Sequence, residues 1–361
     1  MVFSFWNIQA MNSTLMKLGL MKLSSRAIVL MNLRLITSAI LVLSTLLLPL
    51  SSSADYLPHP DAKVFVDRMV SEHGFDRTEV ESLLQAATKQ QSIIDAISRP
   101  AERVKPWKDY RKIFNQEKRI DQGVQFWLEN REALKRAAEE YNVAPEVIVA
   151  IIGVETFYGR IKGNYRVIDA LATLSFDYPK RSAFFTKQLE HFLLLSREQK
   201  QEPLSLKGSY AGAMGYGQFI PSSYRSFAVD FDHDGFADIW NNTTDAIGSV
   251  ANYFARHGWE LDAQVVSRAH VASDYDDSLL NKLKLEKTID ELSVMGFTST
   301  EPLSGELKAI PIRLEGNRGA EFWLGLNNFY VITRYNHSRL YAMSVHNLSQ
   351  KILERAGEAA E

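Results

Sequence analysis

One glutamate stands out because it ends an otherwise apolar segment. Every residue from 147 to 154 is apolar, and Glu155 follows directly. A carboxyl held against apolar neighbours is desolvated, which disfavours its charged form and raises its pKa. Such a group stays protonated near neutral pH and can donate a proton to a glycosidic oxygen. The alternative is an ordinary helix-end carboxylate paired with Arg160 or Lys162, and the residue types alone weigh the two equally.

A glycine-rich segment, residues 208–223, has the composition of a ligand-binding loop. It holds four glycines within ten residues, so its backbone can bend and approach a ligand closely. Tyr210, Tyr216 and Phe219 offer flat apolar faces, and Gln218 offers an amide, a combination that suits the C–H faces and hydroxyls of sugars. The spacing differs from the dinucleotide-binding fingerprint. A plain turn-rich loop is the alternative.

An acidic segment, Asp230 to Asp238, matches the first half of an EF-hand calcium loop. Its first three acids stand at alternate positions and a glycine follows them. The second half departs from the pattern, because Asn241 stands where the closing glutamate belongs and the next acid is Asp245. Without a cation these carboxylates would repel one another. The pattern predicts a structural calcium ion, and an exposed acidic turn is the alternative.

A fourth cluster near the C-terminus alternates aromatic and polar residues. Its members are Tyr330, Arg334, Tyr335, Asn336, His337 and Tyr341. A half-buried sheet edge would have the same composition, so the cluster by itself assigns no function.

Helices are predicted to carry most of these groups. Asp76 and Glu79 are typical of a capping box at a helix start. Apolar periodicity predicts further helices, the first of them with core residues Val124, Trp127, Leu128, Leu134, Ala137, Ala138 and Tyr141. Their bounds are 121–141, 144–156, 182–199, 245–258 and 341–355. Alternating β-rich stretches predict a small sheet from residues 264–269, 308–314 and 329–332. The fold class is therefore α+β, mainly α.

The first 54 residues differ from the rest of the chain. They carry four cations and no acid, and an apolar run ends in small residues before Asp55. This layout predicts a secretory leader cleaved after Ala54, with an uncleaved anchor as the alternative. The rest divides into an N-terminal helical domain (55–140), a catalytic core with the EF-hand-like loop (141–260), and a small β domain whose last helix returns to the core (261–361).

Composition excludes several classes of function. The net charge is −2, and removing the four leader cations leaves about −6, which argues against nucleic acid as a partner. The chain has no cysteine, so disulfides, thiol catalysis, cysteine zinc sites and a lipidated N-terminal cysteine are excluded. A periplasmic location follows from the leader.

The chain resembles the membrane-bound lytic murein transglycosylase B family over residues 65–348. The resemblance rests on the runs VIVAIIGVETFYGR, DALATLSFDYP, LKGSYAGAMGYGQFIPSSY, DAIGSVANYF and FYVITRYNHSRLYAMSV. It implies a lysozyme-like core, an N-terminal α domain and a small β domain. It further implies cleavage of the β-1,4 bond between N-acetylmuramic acid (MurNAc) and N-acetylglucosamine (GlcNAc), leaving a 1,6-anhydro end.

The resemblance also assigns roles to individual residues. Glu155 falls on the family's catalytic acid and base, with no cofactor needed for the reaction. Sugar-binding positions fall on Tyr110, Arg181, Ser209, Gln218, Tyr253, Tyr335 and Tyr341. Calcium ligands fall on Asp230, Asp232, Asp234, the backbone of Phe236, and Asp245. One extra residue before Asp245 puts that last ligand in question. The implied partners are peptidoglycan strands and other cell-wall enzymes, and the chain is expected to be a monomer.

Two rival hypotheses remain at this stage. The first is a hydrolytic muramidase, which needs a second carboxylate or a held water on the far face of the sugar. The second is a non-catalytic peptidoglycan-binding protein on the same fold, which has no need of a carboxyl in an apolar helix.

Overall fold

The computed structural model describes residues 56–98 and 105–358, so the predicted leader lies outside the described residues. Within this part the fold is mainly helical, with a small five-stranded antiparallel sheet and a separate pair of two-residue strands, which confirms the predicted fold class. None of the described helices combines the length and the apolarity needed to cross a membrane.

Three short helices form the N-terminal part of the described chain. Asp76 accepts a hydrogen bond from the backbone N–H of Glu79 at 3.0 Å, so the predicted helix start is present. The helix before it ends at Gly74, whose left-handed φ of 65° stops the helix. The helices are α1 (Pro60–His73), α2 (Arg77–Ala86) and α3 (Gln91–Ser98).

The long helix predicted over residues 121–141 is in fact two helices that meet at Asn130. The Asn130 side chain donates to the carbonyl oxygen of Phe126 at 2.8 Å, a local bond that competes with the helical backbone pattern. Leu128, predicted to lie in the core, is 50% exposed because the chain turns here. The helices are α4 (Trp107–Phe114), α5 (Glu117–Glu129) and α6 (Arg131–Tyr141).

Helix α7 (Pro145–Thr156) occupies the centre of the molecule. All residues from 147 to 154 are buried, because α5, α6 and two later helices pack around α7. A helix with no polar face is stable only when it is covered on all sides. This environment is what the sequence predicted around Glu155.

Four further helices and two short strands, between residues 165 and 256, complete the helical core. Two short strands pair antiparallel, with Tyr165 opposite Gly208, and bring the glycine-rich segment beside the residues that follow α7. The elements are β1 (Tyr165–Arg166), α8 (Val167–Phe176), α9 (Ser182–Glu198), β2 (Lys207–Gly208), α10 (Pro221–Phe227) and α11 (Thr243–Arg256).

A five-stranded antiparallel sheet follows, with strand order β4-β6-β7-β3-β5. Its longest pair is β6 with β7, in which Ile312 faces Trp323. A short helix, α12, fills the connection between β4 and β5. The elements are β3 (Val266–Val271), β4 (Lys287–Thr288), α12 (Ile289–Val294), β5 (Phe297–Ser299), β6 (Lys308–Gly316) and β7 (Gly319–Gly325).

The strand predicted over residues 329–332 is wrong. These residues lie in helix α13 (Asn327–Tyr335), where Phe329, Ile332 and Tyr335 are buried at a spacing of three residues. Aromatic and β-branched residues favour strands, but burial on one helical face decides the structure here. The last helix, α14 (Arg339–Glu358), packs against α5 and α7, and so returns the C-terminus to the core.

Candidate active site

Glu155 lies in the last turn of α7, and the residue is half-buried. The Tyr341 hydroxyl, from the start of α14, donates to Glu155 Oε1 at 2.5 Å. Burial raises the pKa of the Glu155 carboxyl from 4.5 to about 7, and the Tyr341 hydrogen bond lowers it in part. The carboxyl therefore holds its proton in an appreciable fraction of molecules at neutral pH.

The predicted alternative, an ion pair of Glu155 with a neighbouring cation, is wrong. The Lys162 ammonium donates to the carbonyl oxygen of Trp240 and lies 4.6 Å from the Tyr216 ring centroid. The Arg160 guanidinium faces the Phe157 ring at 5.7 Å. Both cations are thus engaged elsewhere.

The backbone just after Glu155 is strained. Phe157, Tyr158 and Gly159 adopt left-handed φ values of 52°, 58° and 82° in succession. Each non-glycine residue in this region costs roughly 1–2 kcal/mol. The left-handed turn ends α7 immediately behind Glu155, which leaves the carboxyl at the helix terminus.

The buried side chain of Arg119 contacts this strained turn and holds it in place. Its guanidinium donates to the Gly153 carbonyl oxygen and lies 4.6 Å from the Phe157 ring centroid. The Tyr158 hydroxyl donates to the Arg119 carbonyl oxygen at 2.8 Å. Burial lowers the pKa of Arg119 to about 10, so it remains a cation at neutral pH. These bonds fix the end of α7 and, with it, the position of Glu155.

Thr156 joins this turn to the glycine-rich segment. Its hydroxyl lies 2.9 Å from the Tyr216 carbonyl oxygen and accepts a hydrogen bond from the Gly159 N–H at 3.0 Å. The side-chain amide of Gln218 donates to the carbonyl oxygens of Lys162 and Gly215 at 3.2 and 3.0 Å. The segment therefore packs as a fixed wall beside Glu155.

Two predicted sugar-binding residues of this wall are nearly buried. Ser209 and Gln218 are each 9% exposed. Ser209 Oγ accepts from the Ala213 N–H at 3.1 Å, which leaves the hydroxyl proton for another partner. The Gln218 amide protons are used within the wall, so its Oε1 is the group left to accept a bond.

Tyrosines from α11, α13 and α14 form another part of the site. The Tyr335 hydroxyl donates to the Gly217 carbonyl oxygen at 2.6 Å, and the Tyr253 hydroxyl donates to the Arg334 carbonyl oxygen at 2.7 Å. The Tyr253 and Tyr335 rings meet edge to face with centroids 4.7 Å apart. Burial and the nearby charge of Glu155 raise the pKa of Tyr335. The structure thus brings Tyr335 and Tyr341 close to Glu155 and packs Tyr253 against Tyr335.

Phe219 was predicted to offer a flat face to a sugar, and this was wrong. Its side chain is 3% exposed and packs against Tyr253 and Tyr335, with ring centroids 5.9 and 6.0 Å away. It supports the tyrosines from within the core. Tyr210 and Tyr216 keep part of their surface.

The remaining two predicted residues lie in different elements. Tyr110 is on α4, and its ring lies 5.5 Å from the Phe114 ring centroid. Arg181 ends a short 3-10 turn, and its guanidinium lies 4.1 Å from the Phe184 ring centroid. Burial lowers the pKa of Arg181.

Sequence reasoning missed the residues that hold the turn. Arg119 lies on the buried face of α5 with Gly123 and Phe126, at spacings of four and three residues. A cation on an apolar stripe was a usable signal that its head group has a buried partner. Thr156 gave no comparable signal, because its partner, the Tyr216 carbonyl oxygen, comes from the distant glycine-rich segment.

The acidic segment forms a second, separate cluster. Asp230, Asp232, Asp234 and Asp245 each offer a carboxylate oxygen, and these oxygens lie within 4.8 Å of one another. Hard oxygen ligands in such a group are the donor set that calcium prefers. The residues therefore fit a calcium ion.

Asp245 closes the segment although the loop is longer than in an EF-hand. It is fully buried at the start of α11, and it accepts hydrogen bonds from the backbone N–H groups of Phe231 and Asp238 at 2.7 and 2.8 Å. Asp238 turns away to accept from the Trp240 N–H at 2.9 Å. Phe236 follows Gly235 in the turn, and its carbonyl oxygen accepts from the Asp238 N–H at 2.9 Å.

An acid at the end of a buried helix, a rigid glycine-rich wall and a cluster of tyrosines define a lysozyme-like, glycan-cleaving class of protein. Comparisons with known proteins agree. Residues 59–350 match the family described as the Transglycosylase SLT domain. The chain is 46% identical to membrane-bound lytic murein transglycosylase B of Escherichia coli K12 over 307 residues, which cover 82% of this chain and 84% of the relative.

Solved structures give the same result. Soluble lytic transglycosylase SltB1 from Pseudomonas aeruginosa matches with a TM-score of 0.79 and 50% identity, covering 82% of this chain and all of that one. Escherichia coli Slt35 in complex with calcium matches with a TM-score of 0.77 and 45% identity, covering 84% and 95%. SltB3 from Pseudomonas aeruginosa in complex with NAG-anhNAM-pentapeptide matches with a TM-score of 0.72 and 30% identity, covering 81% and 78%.

The chain belongs to the Transglycosylase SLT domain family, and its fold is the lysozyme-like fold of the lytic transglycosylases.

Proposed function

We propose that this protein is a lytic transglycosylase that cleaves the β-1,4 bond between MurNAc and GlcNAc in peptidoglycan and leaves 1,6-anhydro ends. The observation that carries the proposal is the Glu155 carboxyl, whose pKa burial raises to about 7 at the end of a covered helix. Family membership supplies the substrate class, because its relatives are named as lytic murein transglycosylases.

Glu155 serves as acid and then as base. The protonated carboxyl donates its proton to the glycosidic oxygen as the bond to GlcNAc breaks. The carboxylate then takes the proton from the C6 hydroxyl of the muramic residue, which attacks its own anomeric carbon. The proton lost in the first step is regained in the second, so no water is consumed. We assign stabilisation of the cationic intermediate to the substrate's N-acetyl group, as in substrate-assisted enzymes.

The surroundings of Glu155 support a mechanism with one carboxylate. Within the described residues, its pKa is set by burial and by Tyr341, with no contribution from a second acid. A retaining glycosidase places two carboxyl groups about 5 Å apart, close enough for each to shift the other's pKa. Attack by the substrate's own hydroxyl removes the need for that second group.

The sugar-binding residues are likewise proposed from the family resemblance. We assign to the groove beside Glu155 the residues Tyr110, Arg181, Ser209, Gln218, Tyr253, Tyr335 and Tyr341. Their buried hydroxyls and amides fix the shape of the groove, and the groups left over after the internal bonds face the glycan. Tyr341 has a further role, since it orients the catalytic carboxyl.

Analysis of the products tests the proposed reaction. Purified peptidoglycan digested by the protein should yield muropeptides lighter by one water than those from a hydrolytic muramidase, because the anhydro ring forms without water. Mass spectrometry of the two digests, run side by side, makes the comparison. If the digest contained only reducing ends, the protein would be a muramidase; an undigested glycan would favour a binding protein.

We propose that the acidic segment binds one structural calcium ion through Asp230, Asp232, Asp234, Asp245 and the backbone of Phe236. The converging carboxylate oxygens and the calcium complex of Slt35 support this. The ion would offset the mutual repulsion of the four carboxylates. Catalysis itself needs no cofactor, because proton transfer by Glu155 and attack by the substrate complete the reaction.

Calcium is expected to stabilise the fold. A ligand present at about 100 times its Kd stabilises the bound state by about 2.7 kcal/mol, which corresponds to a rise in Tm of several degrees. Asp232→Asn should remove most of this rise. Asp238→Asn is the matched control in the same loop and should keep it, because the Asp238 carboxylate caps backbone N–H groups. A Tm indifferent to calcium and chelator in the wild type would refute the site.

We place the protein in the periplasm, where its substrate lies, with peptidoglycan strands as its partner. Residues 1–54 serve as the export leader in this proposal, and the described chain acts as a monomer. The boundaries 55–140, 141–260 and 261–361 are retained as its domains.

A further inference from the structure

Residues 236–240 form a connecting segment between the acidic cluster and the glycine-rich segment. Phe236, whose backbone is a proposed calcium ligand, is the first residue of this connecting segment. The carboxylate of Asp245, a second proposed ligand, accepts a hydrogen bond from the Asp238 N–H at 2.8 Å. A cation held by these two ligands would therefore fix the position of the connecting segment as well as the acidic loop itself.

The far end of the connecting segment is bonded to the glycine-rich segment. The Ile239 carbonyl oxygen accepts from the Tyr216 N–H at 2.9 Å. The same oxygen would lie 2.3 Å from a Cβ added to Gly215, so the two backbones are in close contact. The Trp240 indole N–H donates to the Lys207 carbonyl oxygen at 3.0 Å, just before the glycine-rich segment begins. A shift of the connecting segment would therefore displace the glycine-rich wall.

Lys162 lies where the connecting segment and the glycine-rich segment meet. Its ammonium donates to the Trp240 carbonyl oxygen and lies 4.6 Å from the Tyr216 ring centroid. Its own carbonyl oxygen accepts from the Gln218 side-chain amide at 3.2 Å. Hydrogen bonds from a charged donor are roughly twice as strong as neutral ones, and a cation over an aromatic ring adds attraction. This one residue therefore holds the two segments together.

The contacts continue to the residue beside the catalytic acid. The Tyr216 carbonyl oxygen lies 2.9 Å from the Thr156 hydroxyl, and Thr156 directly follows Glu155. Tyr216 thus bonds the connecting segment on one side and the end of α7 on the other. The acidic carboxylates, whose oxygens lie within 4.8 Å of one another, repel each other when no cation is bound. Relaxation of that loop would reach the groove through these bonds.

We propose that Lys162 is a positioning residue that couples the cation site to the glycan groove, so that calcium and the glycan bind cooperatively. The inference rests on the proposed function and on the proposed calcium site. Such coupling is reciprocal: the factor by which calcium raises the affinity for the glycan equals the factor by which the glycan raises the affinity for calcium. Calcium then controls glycan binding as well as stability, whereas an ion that only stabilises the fold leaves the affinity for the glycan unchanged.

Equilibrium titrations of the full protein test this coupling. The glycan is a soluble, uncrosslinked GlcNAc–MurNAc strand, and Glu155→Gln is the background, because this variant should bind the strand without cleaving it. Calorimetry gives the Kd of the strand with saturating calcium and with chelator, at a temperature where circular dichroism shows both forms to be folded. It also gives the Kd of calcium with and without the strand. We expect both ratios to be about 10-fold and equal to each other.

Lys162→Met on the same background removes the ammonium and keeps the length of the side chain. It should lower both ratios to less than about 3-fold while calcium still binds, because the bond to Trp240 is lost. Lys162→Arg keeps a charged donor and should restore the coupling. Lys118→Met is the matched control, since Lys118 is an exposed lysine on α5, and it should leave both ratios unchanged.

The outcomes separate this inference from the proposals on which it rests. Equal affinity for the strand with calcium and with chelator would overturn the coupling, and undiminished ratios in Lys162→Met would overturn the role of Lys162. Failure of the proposed function has a different signature: the wild type would leave peptidoglycan uncleaved, and the strand would not bind with or without calcium.

Discussion

Replacing Glu155 by glutamine is expected to reduce the rate of glycan cleavage by about 10³-fold or more. A positioned acid or base contributes roughly 10²- to 10⁴-fold to each proton transfer, and Glu155 is proposed to act in two successive transfers. Glutamine has nearly the same size and can accept the Tyr341 hydrogen bond, so the groove should keep its shape. The measurement is the rate of release of anhydro-muropeptides at a fixed enzyme concentration.

Glu146→Gln is the matched control for this substitution. Glu146 stands in the first turn of the same helix, nine residues or about 13 Å from Glu155. Burial raises the pKa of Glu146 as well, so the two glutamates share a helix and a desolvated environment. Glu146→Gln should keep the wild-type rate. Cleavage that survives in Glu155→Gln would remove this carboxyl from the mechanism.

The raised pKa of Glu155 makes both the cleavage rate and the stability of the protein depend on pH. The acid step needs the protonated form, so the wild-type rate should fall as the pH rises through about 7. The folded-state pKa is above the ordinary value of 4.5, so the folded state binds more protons than the unfolded state between these values. The contribution of this carboxyl to the free energy of unfolding therefore falls as the pH rises from about 4.5 to 7. The Glu155→Gln variant lacks this contribution and its loss. Above pH 7 the glutamine variant should have the higher Tm.

The environment of Glu155 was predictable because it is local. Eight consecutive apolar residues before the glutamate require a helix that is covered on all sides, and such a helix desolvates the carboxyl at its end. Its hydrogen-bond partner Tyr341 is 186 residues away along the chain. Residue types alone assigned no function to the C-terminal aromatic and polar cluster that contains Tyr341. The family resemblance supplied the sugar-binding role predicted for Tyr341.

Two errors in the predicted elements have a common cause. Asn130 divides a predicted helix, and residues 329–332 form a helix where a strand was predicted. In both places the local pattern fitted two structures, and a contact that the pattern does not specify decided between them: a local side-chain hydrogen bond at Asn130, and packing against the sheet at Phe329. The Asn130 side chain bonds a backbone carbonyl group, and Phe329 packs into the core beneath Gly325 of the sheet. Propensity is a weak guide where tertiary packing is strong.

Replacing Gly163 by alanine is expected to disrupt both the fold and the site. Gly163 has a φ of +92°, and an added Cβ would lie 2.1 Å from the carbonyl oxygen of Gly208 and 2.5 Å from the backbone nitrogen of Ser209. Both neighbours are backbone atoms, so neither can rotate away. The left-handed conformation costs about 1–2 kcal/mol for a residue with a Cβ, and overpacking adds about 1–3 kcal/mol. We expect unfolding free energy to fall by about 2–5 kcal/mol.

Gly74→Ala separates the conformational cost of a left-handed alanine from the cost of overpacking. Activity measurements then show whether the overpacking displaces the catalytic site. Gly74 has a φ of +65° with nothing within 4 Å of an added Cβ, so this variant pays only the conformational cost of about 1–2 kcal/mol and should keep full activity. In Gly163→Ala the glycine-rich wall must move away from the turn behind Glu155. A displacement of about 1 Å in a catalytic arrangement can cost about 100-fold in rate. Denaturant unfolding and cleavage rates, measured at a temperature where both variants are folded, provide the comparison. If Gly163→Ala had the same unfolding free energy and the same cleavage rate as Gly74→Ala, the close backbone packing between the turn and the glycine-rich wall would have no part in positioning Glu155.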